Sequence, residues 1–86
     1  MDNKTELLII TMEECGELTQ ACSKVLRTDF RKDTIEDLTK EVADVMCMIE
    51  LMKEHLYIKQ SDIVQGIQNK RDKLKIWSNL IHRNNS

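Results

Sequence analysis

Eighty-six residues make one small domain, and 2 Gly with no Pro leave little for building tight turns or a multi-stranded sheet, so the chain is expected to be all-α. An apolar share of 41%, with one each of Trp, Tyr and Phe, supplies an aliphatic core and excludes disorder, while 33% charged residues supply solvated faces. Thirteen basic against fifteen acidic residues give a net charge of −2, which argues against nucleic acid as a bulk partner.

Leu7, Ile10, Leu18, Ala21, Cys22 and Val25 recur at helical spacing and predict a first helix over residues 4–27. The pattern breaks over 28–33. Thr34 with Asp37 three residues on resembles an N-terminal cap, and a second helix is expected over 34–56. Residues 57–60 make a short connection. Ser61, followed by Asp62, reads as the N-cap of a third helix that carries Ile63, Ile67, Leu74, Trp77 and Ile81, and residues 82–86 are expected to fray. So short a connector makes the second and third helices antiparallel neighbours in a bundle. A chain of this length buries only about 60% of the surface its unfolded state exposes. Three main helices would leave apolar faces uncovered, and an obligate homo-oligomer is therefore expected.

The longest apolar runs, 45–49 and 7–10, are far short of a membrane span, and Asp2, Lys4 and Glu6 do not suit a secretory leader. The expected location is cytoplasmic, or a host's cytoplasm, with no membrane partner. Cys15, Cys22 and Cys47 lack CxxC spacing and fall within the apolar pattern, so they are read as reduced core thiols. Gly16 and Gly66 stand alone within helices, and a close approach of backbones is the expected reason for each.

The informative residues are acids in apolar positions. At about 100° per residue, Glu14 falls in the middle of the first helix's apolar arc. Glu17 lies one turn on toward the same face, and Glu13 lies farther round. On the second helix Ile35, Leu38, Val42, Val45, Met46, Ile49 and Met52 form a broad stripe, flanked by Met48 and Leu51, and Glu41 and Asp44 sit on its flank. Two carboxylate pairs, each at i, i+3, can converge inside a dry interface, where repulsion and desolvation call for a cation. Oxygen-only ligands favour Mg²⁺, with Mn²⁺ as a substitute, over zinc. A di-iron site would want Glu-x-x-His pairs, and Met52 and Asn79 occupy the places three before His55 and His82. The alternative is that the acids are solvated or paired with Lys and Arg. Lys70 lies within the third helix's apolar face, flanked by Arg71 and Lys73, and suits phosphate; it can equally snorkel to solvent or neutralise Glu14. Trp77 can stack on a base or simply pack, and Asn69 can read a base or sugar edge.

Glu13-Glu14-Cys15-Gly16-Glu17-Leu18, followed 24 residues after Glu17 by Glu41-Val42-Ala43-Asp44-Val45, resembles the EExxE…ExxD signature of the MazG-like all-α nucleoside triphosphate pyrophosphohydrolases. The resemblance covers about residues 6–77 and is closest to compact single-domain and phage-encoded members. It implies a single MazG-like domain over 1–86 and Glu14, Glu17, Glu41 and Asp44 as Mg²⁺ ligands. Glu13 would be a second, water-orienting acid, so that Glu13, Glu14 and Glu17 carry the catalysis. Lys70 and Lys73 would meet the phosphates of a nucleoside triphosphate, although Lys73 stands where many relatives carry Arg, and Asn69 and Trp77 would complete the substrate site. The implied assembly is a homodimer or homotetramer in which paired helices complete four-helix bundles. The implied reaction is hydrolysis of a (d)NTP between the α and β phosphates, for nucleotide-pool control or house-cleaning. No Ser/His/Asp or Cys/His set and no glycine-rich phosphate loop competes for this role. The alternative function is a non-enzymatic oligomerisation module whose inward acids pair with Lys70 and Arg71 of a neighbouring subunit.

Overall fold

The computed structural model describes residues 1–81, which form three helices: α1 (Asn3–Arg27), α2 (Lys32–Leu56) and α3 (Gln60–Trp77). The fraying expected for residues 82–86 lies outside the described residues. Asp2 caps α1, its carboxylate accepting from the Thr5 N–H at 2.8 Å and from the Thr5 hydroxyl at 3.0 Å. The C-terminus of α1 closes through two reversed bonds, Phe30 N–H to the Val25 carbonyl (2.9 Å) and Asp29 N–H to that of Leu26 (3.3 Å). Such a closure wants a left-handed residue, and with both glycines elsewhere the position falls to Asp29, at φ 52°. Asp tolerates it because its short polar side chain can hydrogen-bond to the nearby backbone.

Thr34 is not the cap of α2: the helix begins at Lys32, and Thr34 sits inside its first turn, 1% exposed. Its hydroxyl lies 2.9 Å from that of Thr28, and between them the two reach the carbonyls of Lys24 (2.8 Å) and Arg31 (2.7 Å). With the Val25 carbonyl 3.3 Å from the Thr28 hydroxyl, two protons serve four contacts, and the pair ties the end of α1 to the start of α2. Ser61 is likewise the second residue of α3 rather than its cap.

The antiparallel α1–α2 hairpin is the packing unit. Its seam runs through Leu7, Thr11, Glu14, Leu18, Ala21, Val25 and Thr28 on α1 and through Thr34, Leu38, Glu41, Val45, Met48, Met52 and His55 on α2. Every one of these is buried or half-buried. The steps alternate between four and three, the spacing that keeps one stripe of a helix against one partner. A residue one position after a seam residue is turned about 100° away, and in an antiparallel pair that rotation brings both helices' residues to the same side. One side of the hairpin therefore shows Met12, Leu26, Ile35, Val42, Met46 and Ile49, all exposed. The opposite side, one position before the seam, shows Glu13, Glu17, Gln20, Lys24, Arg27, Asp37 and Asp44.

Several expectations are corrected here. The middle of the α2 stripe is not the seam: α1 covers its Met48 flank, because the stripe is wider than one partner can cover. Cys15, Cys22 and Cys47 are free and exposed rather than core thiols, each lying one position off the seam. A Cβ built on Gly16 or Gly66 would meet nothing within 4 Å, so no backbone approaches either within the chain. Finally, α3 does not dock as an antiparallel neighbour of α2: it packs against neither helix to any comparable extent and holds no buried residue. Tyr57, at φ 55°, ends α2 in a left-handed turn, and α1 already occupies the inward side of α2. The chain is accordingly open, with a radius of gyration of 15.9 Å against about 12 Å for a compact domain of this length. No helix among the described residues is long and apolar enough to cross a membrane.

Thr34→Val keeps the volume and removes the hydroxyl that joins the Thr28 hydroxyl to the Arg31 carbonyl, which still accepts from the Thr34 and Ile35 N–H groups. It is expected to cost about 1–2 kcal/mol in urea unfolding. An unchanged midpoint and slope would mean that the hydroxyl pair does not hold the turn.

Candidate metal centre

Glu14 and Glu41 occupy consecutive levels of the seam, where their neighbours are Leu18, Ala21, Leu38 and Val45. Each therefore enters the interface with its backbone fixed in the middle of a long helix. The Oε2 atom of each is buried and has no hydrogen-bond partner. A carboxylate oxygen stripped of water with nothing in exchange is costly, and two side by side are worse. Asp44, one turn beyond Glu41, reaches the same point from the exposed edge: one oxygen each of Glu14, Glu41 and Asp44 lie within 4.8 Å of one another. No ion pair among the described residues engages this group; those of Arg31, Lys53 and Lys75 lie elsewhere.

The electrostatics follow. Burial pushes the Glu14 carboxyl above the ordinary range, with the charges of Glu17, Asp44 and Glu13 adding to it. Burial does the same for Glu41, reinforced by Glu17, Asp44 and Glu14. Glu17 is exposed and stands outside the close trio, yet its carboxyl lies near enough to Glu14 and Glu41 to raise both. Glu13 is exposed, one position before Glu14. Orphaned buried oxygens, a spacing that one ion can bridge and an all-oxygen donor set fit a hard divalent cation. His55 is half-buried at the far end of the hairpin, beside a 220 Å³ cavity it lines with Asn3 and Glu6, and cannot join the donors.

The candidates on α3 are not brought to this group within one chain. Lys70, Lys73, Asn69 and Trp77 are all exposed, and the Asn69 side chain accepts from Gln65 Nε2 at 3.0 Å. What does adjoin the acids is a 410 Å³ cavity lined by Glu17, Gln20, Ala21, Lys24, Arg27, Asp37 and Glu41. Gln20, Lys24, Arg27 and Asp37 were not among the residues singled out from the sequence. Their signal is a stripe of polar residues one position before the seam, visible once the seam is known.

No protein-family model, curated protein or solved structure matches this chain. The geometry of the acidic group and its cavity must carry the functional reading.

Folding raises the pKa of Glu14 and Glu41, so the folded protein holds these protons more tightly than the unfolded chain. The cost of ionising them is absent below about pH 4.5 and accumulates as pH climbs through the raised values. Metal-free Glu14→Gln is expected to melt a few degrees higher than the parent at pH 7, with the gap closing toward pH 4.5. In Mg²⁺ at 100 times its Kd the parent gains about 2.7 kcal/mol, and the variant gains little. Equal melting of the two proteins at every pH would show that the acids are solvated.

Proposed function

We propose that the protein is a Mg²⁺-dependent nucleoside triphosphate pyrophosphohydrolase that cleaves a (d)NTP between the α and β phosphates. The observation that carries this reading is the pair of buried, unpartnered oxygens of Glu14 and Glu41, level with Asp44. A protein has no structural use for such an arrangement unless a cation completes it, because removing charge from water without compensation destabilises the fold. Glu14, Glu17, Glu41 and Asp44 would hold the ion, with Mn²⁺ as a substitute. Bound there, it would supply Lewis acidity toward phosphate oxygens and offset the charge of the departing pyrophosphate.

The chain's own residues do the rest. The seam fixes Glu14 and Glu41 by packing, so the phosphate is positioned without a loop having to order. Glu17, whose charge reinforces the raised pKa of both, would complete the donor set from the exposed edge. Glu13, on the open edge, orients the attacking water and accepts its proton. The water oxygen bonds to the α phosphorus, the bond from that phosphorus to the bridging oxygen breaks, and the electron pair leaves on pyrophosphate. Nothing covalent passes through the protein.

The exposed side of the hairpin supports a homo-oligomer, dimer or tetramer, built as four-helix bundles. The chain exposes 7,121 Å², whereas a compact monomer of its mass exposes about 5,300 Å². The excess matches the surface that a large obligate interface covers on each partner. A partner seated on Val42, Met46 and Ile49 would also give α3, with Lys70 and Lys73, a second chain on which to dock. The oligomerisation-module reading shares this surface and would pair Glu14 and Glu41 with Lys70 and Arg71 of a neighbouring subunit; within the chain neither oxygen has a partner.

Pyrophosphate release from the eight common NTPs and dNTPs in Mg²⁺ tests the activity. The parent should turn over at least one, and Glu14→Gln and Glu41→Gln should lose about 100-fold or more while keeping their helicity. A folded parent that leaves all eight intact in Mg²⁺ and in Mn²⁺ would contradict the reading. For the assembly, sedimentation should give a multiple of the chain mass that Met46→Glu reduces. A parent that sediments as a monomer would remove the bundle from the account.

A further inference from the structure

We infer that Lys24 and Arg27, with Gln20, form the phosphate-holding end of the substrate groove, receiving the phosphates beyond the one that meets the acids. The inference rests on the pyrophosphohydrolase reading and adds the direction in which the polyphosphate lies. The cavity that opens beside the acidic group is lined by charges of both signs: Glu17, Glu41 and Asp37 with Lys24 and Arg27. Glu17, Gln20, Lys24 and Arg27 stand on one stripe of α1 at steps of three and four, so Lys24 is about 10 Å along the axis from Glu17. Long flexible side chains span that gap toward an anion whose other end lies at the carboxylates.

Neither cation is used by the fold. Among the described residues neither Lys24 nor Arg27 makes an ion pair, although Asp37 lines the same cavity. Cations in the last turn of a helix do favour its dipole, but that role asks only for proximity to the final carbonyls and not for a shared cavity with two carboxylates. The N-terminus of α2 lies at the same end of the hairpin, and its positive pole offsets the negative end of α1 there. A wholly acidic groove would repel a triphosphate; Lys24 and Arg27 offset its acids and offer the only cationic groups in its lining to an anion whose other end is bridged to a cation. Arg27 presents a fork suited to two oxygens of one phosphate, Lys24 a point charge that can follow the chain.

The test is calorimetric binding of inorganic pyrophosphate in Mg²⁺, with Mg²⁺ alone as the control arm, on the parent, Lys24→Gln, Arg27→Gln and the double variant. Lys70→Gln/Lys73→Gln serves as the competing set. Each single variant should weaken pyrophosphate by roughly tenfold or more, leave the response to Mg²⁺ alone unchanged, and flatten the salt dependence of binding. Unchanged pyrophosphate affinity in the double variant, with the parent binding normally, would overturn the inference while leaving the metal site intact. A parent that responds to neither Mg²⁺ nor pyrophosphate would instead defeat the reading beneath it.

Discussion

Two carboxylates inside a helix–helix seam set the terms for everything else in this molecule. Glu14 and Glu41 take positions that the alternation of fours and threes assigns to apolar side chains, and one oxygen of each is buried with no donor. Helical backbone on both sides denies them the freedom to swing out to water. The hairpin is consequently built with a stored electrostatic cost, which Asp44 and Glu17 increase rather than relieve. Such a site can be relieved by a ligand of opposite charge, and an all-oxygen donor set suits a hard cation.

The cost also explains the division of the hairpin into two sides. The positions preceding the seam between Glu13 and Arg27 on α1 are polar and hold the acids' neighbours and the charged cavity. Those following it on α2 include the exposed apolar residues Ile35, Val42, Met46 and Ile49, with Val42 at 40% and Met46 at 60%. A single helical hairpin with so little buried, and with α3 standing off it, has few contacts with which to hold two unneutralised acids in place. Covering the apolar side with a second copy and neutralising the acids with a cation are two ways of meeting the same deficit, and they act on opposite sides of the same two helices.

Much of this was legible in the sequence. The spans of α1 and α2 follow from apolar periodicity, and the break after Arg27 from its loss. Glu14 is placed inward because it falls in the middle of the arc of Leu7, Leu18, Ala21 and Val25, and the second acidic pair because it repeats the oddity. Other features needed coordinates. Thr34 looks like a cap because a hydroxyl before an acidic turn usually is one; here it is buried against Thr28 instead. Periodicity gives the width of the α2 stripe but not which part of it the chain itself covers, and it does not separate a core cysteine from one a single position off the seam. The separation of α3 from the hairpin has no local signal, since a short connector permits docking without compelling it. Lys24 and Arg27 were passed over because cations late in a helix have an ordinary reason to be there.

The central claim is that a divalent cation belongs between Glu14, Glu41 and Asp44, and paramagnetic broadening by Mn²⁺ tests it without reference to any substrate. With isotope-labelled protein and substoichiometric Mn²⁺, the account predicts that signals of residues 13–18 and 40–45 broaden first. Those near His55 and along the exposed face of Val42 and Met46 should broaden later, and excess Mg²⁺ should reverse the effect. Broadening centred elsewhere, or spread evenly over the acidic surface, would contradict it.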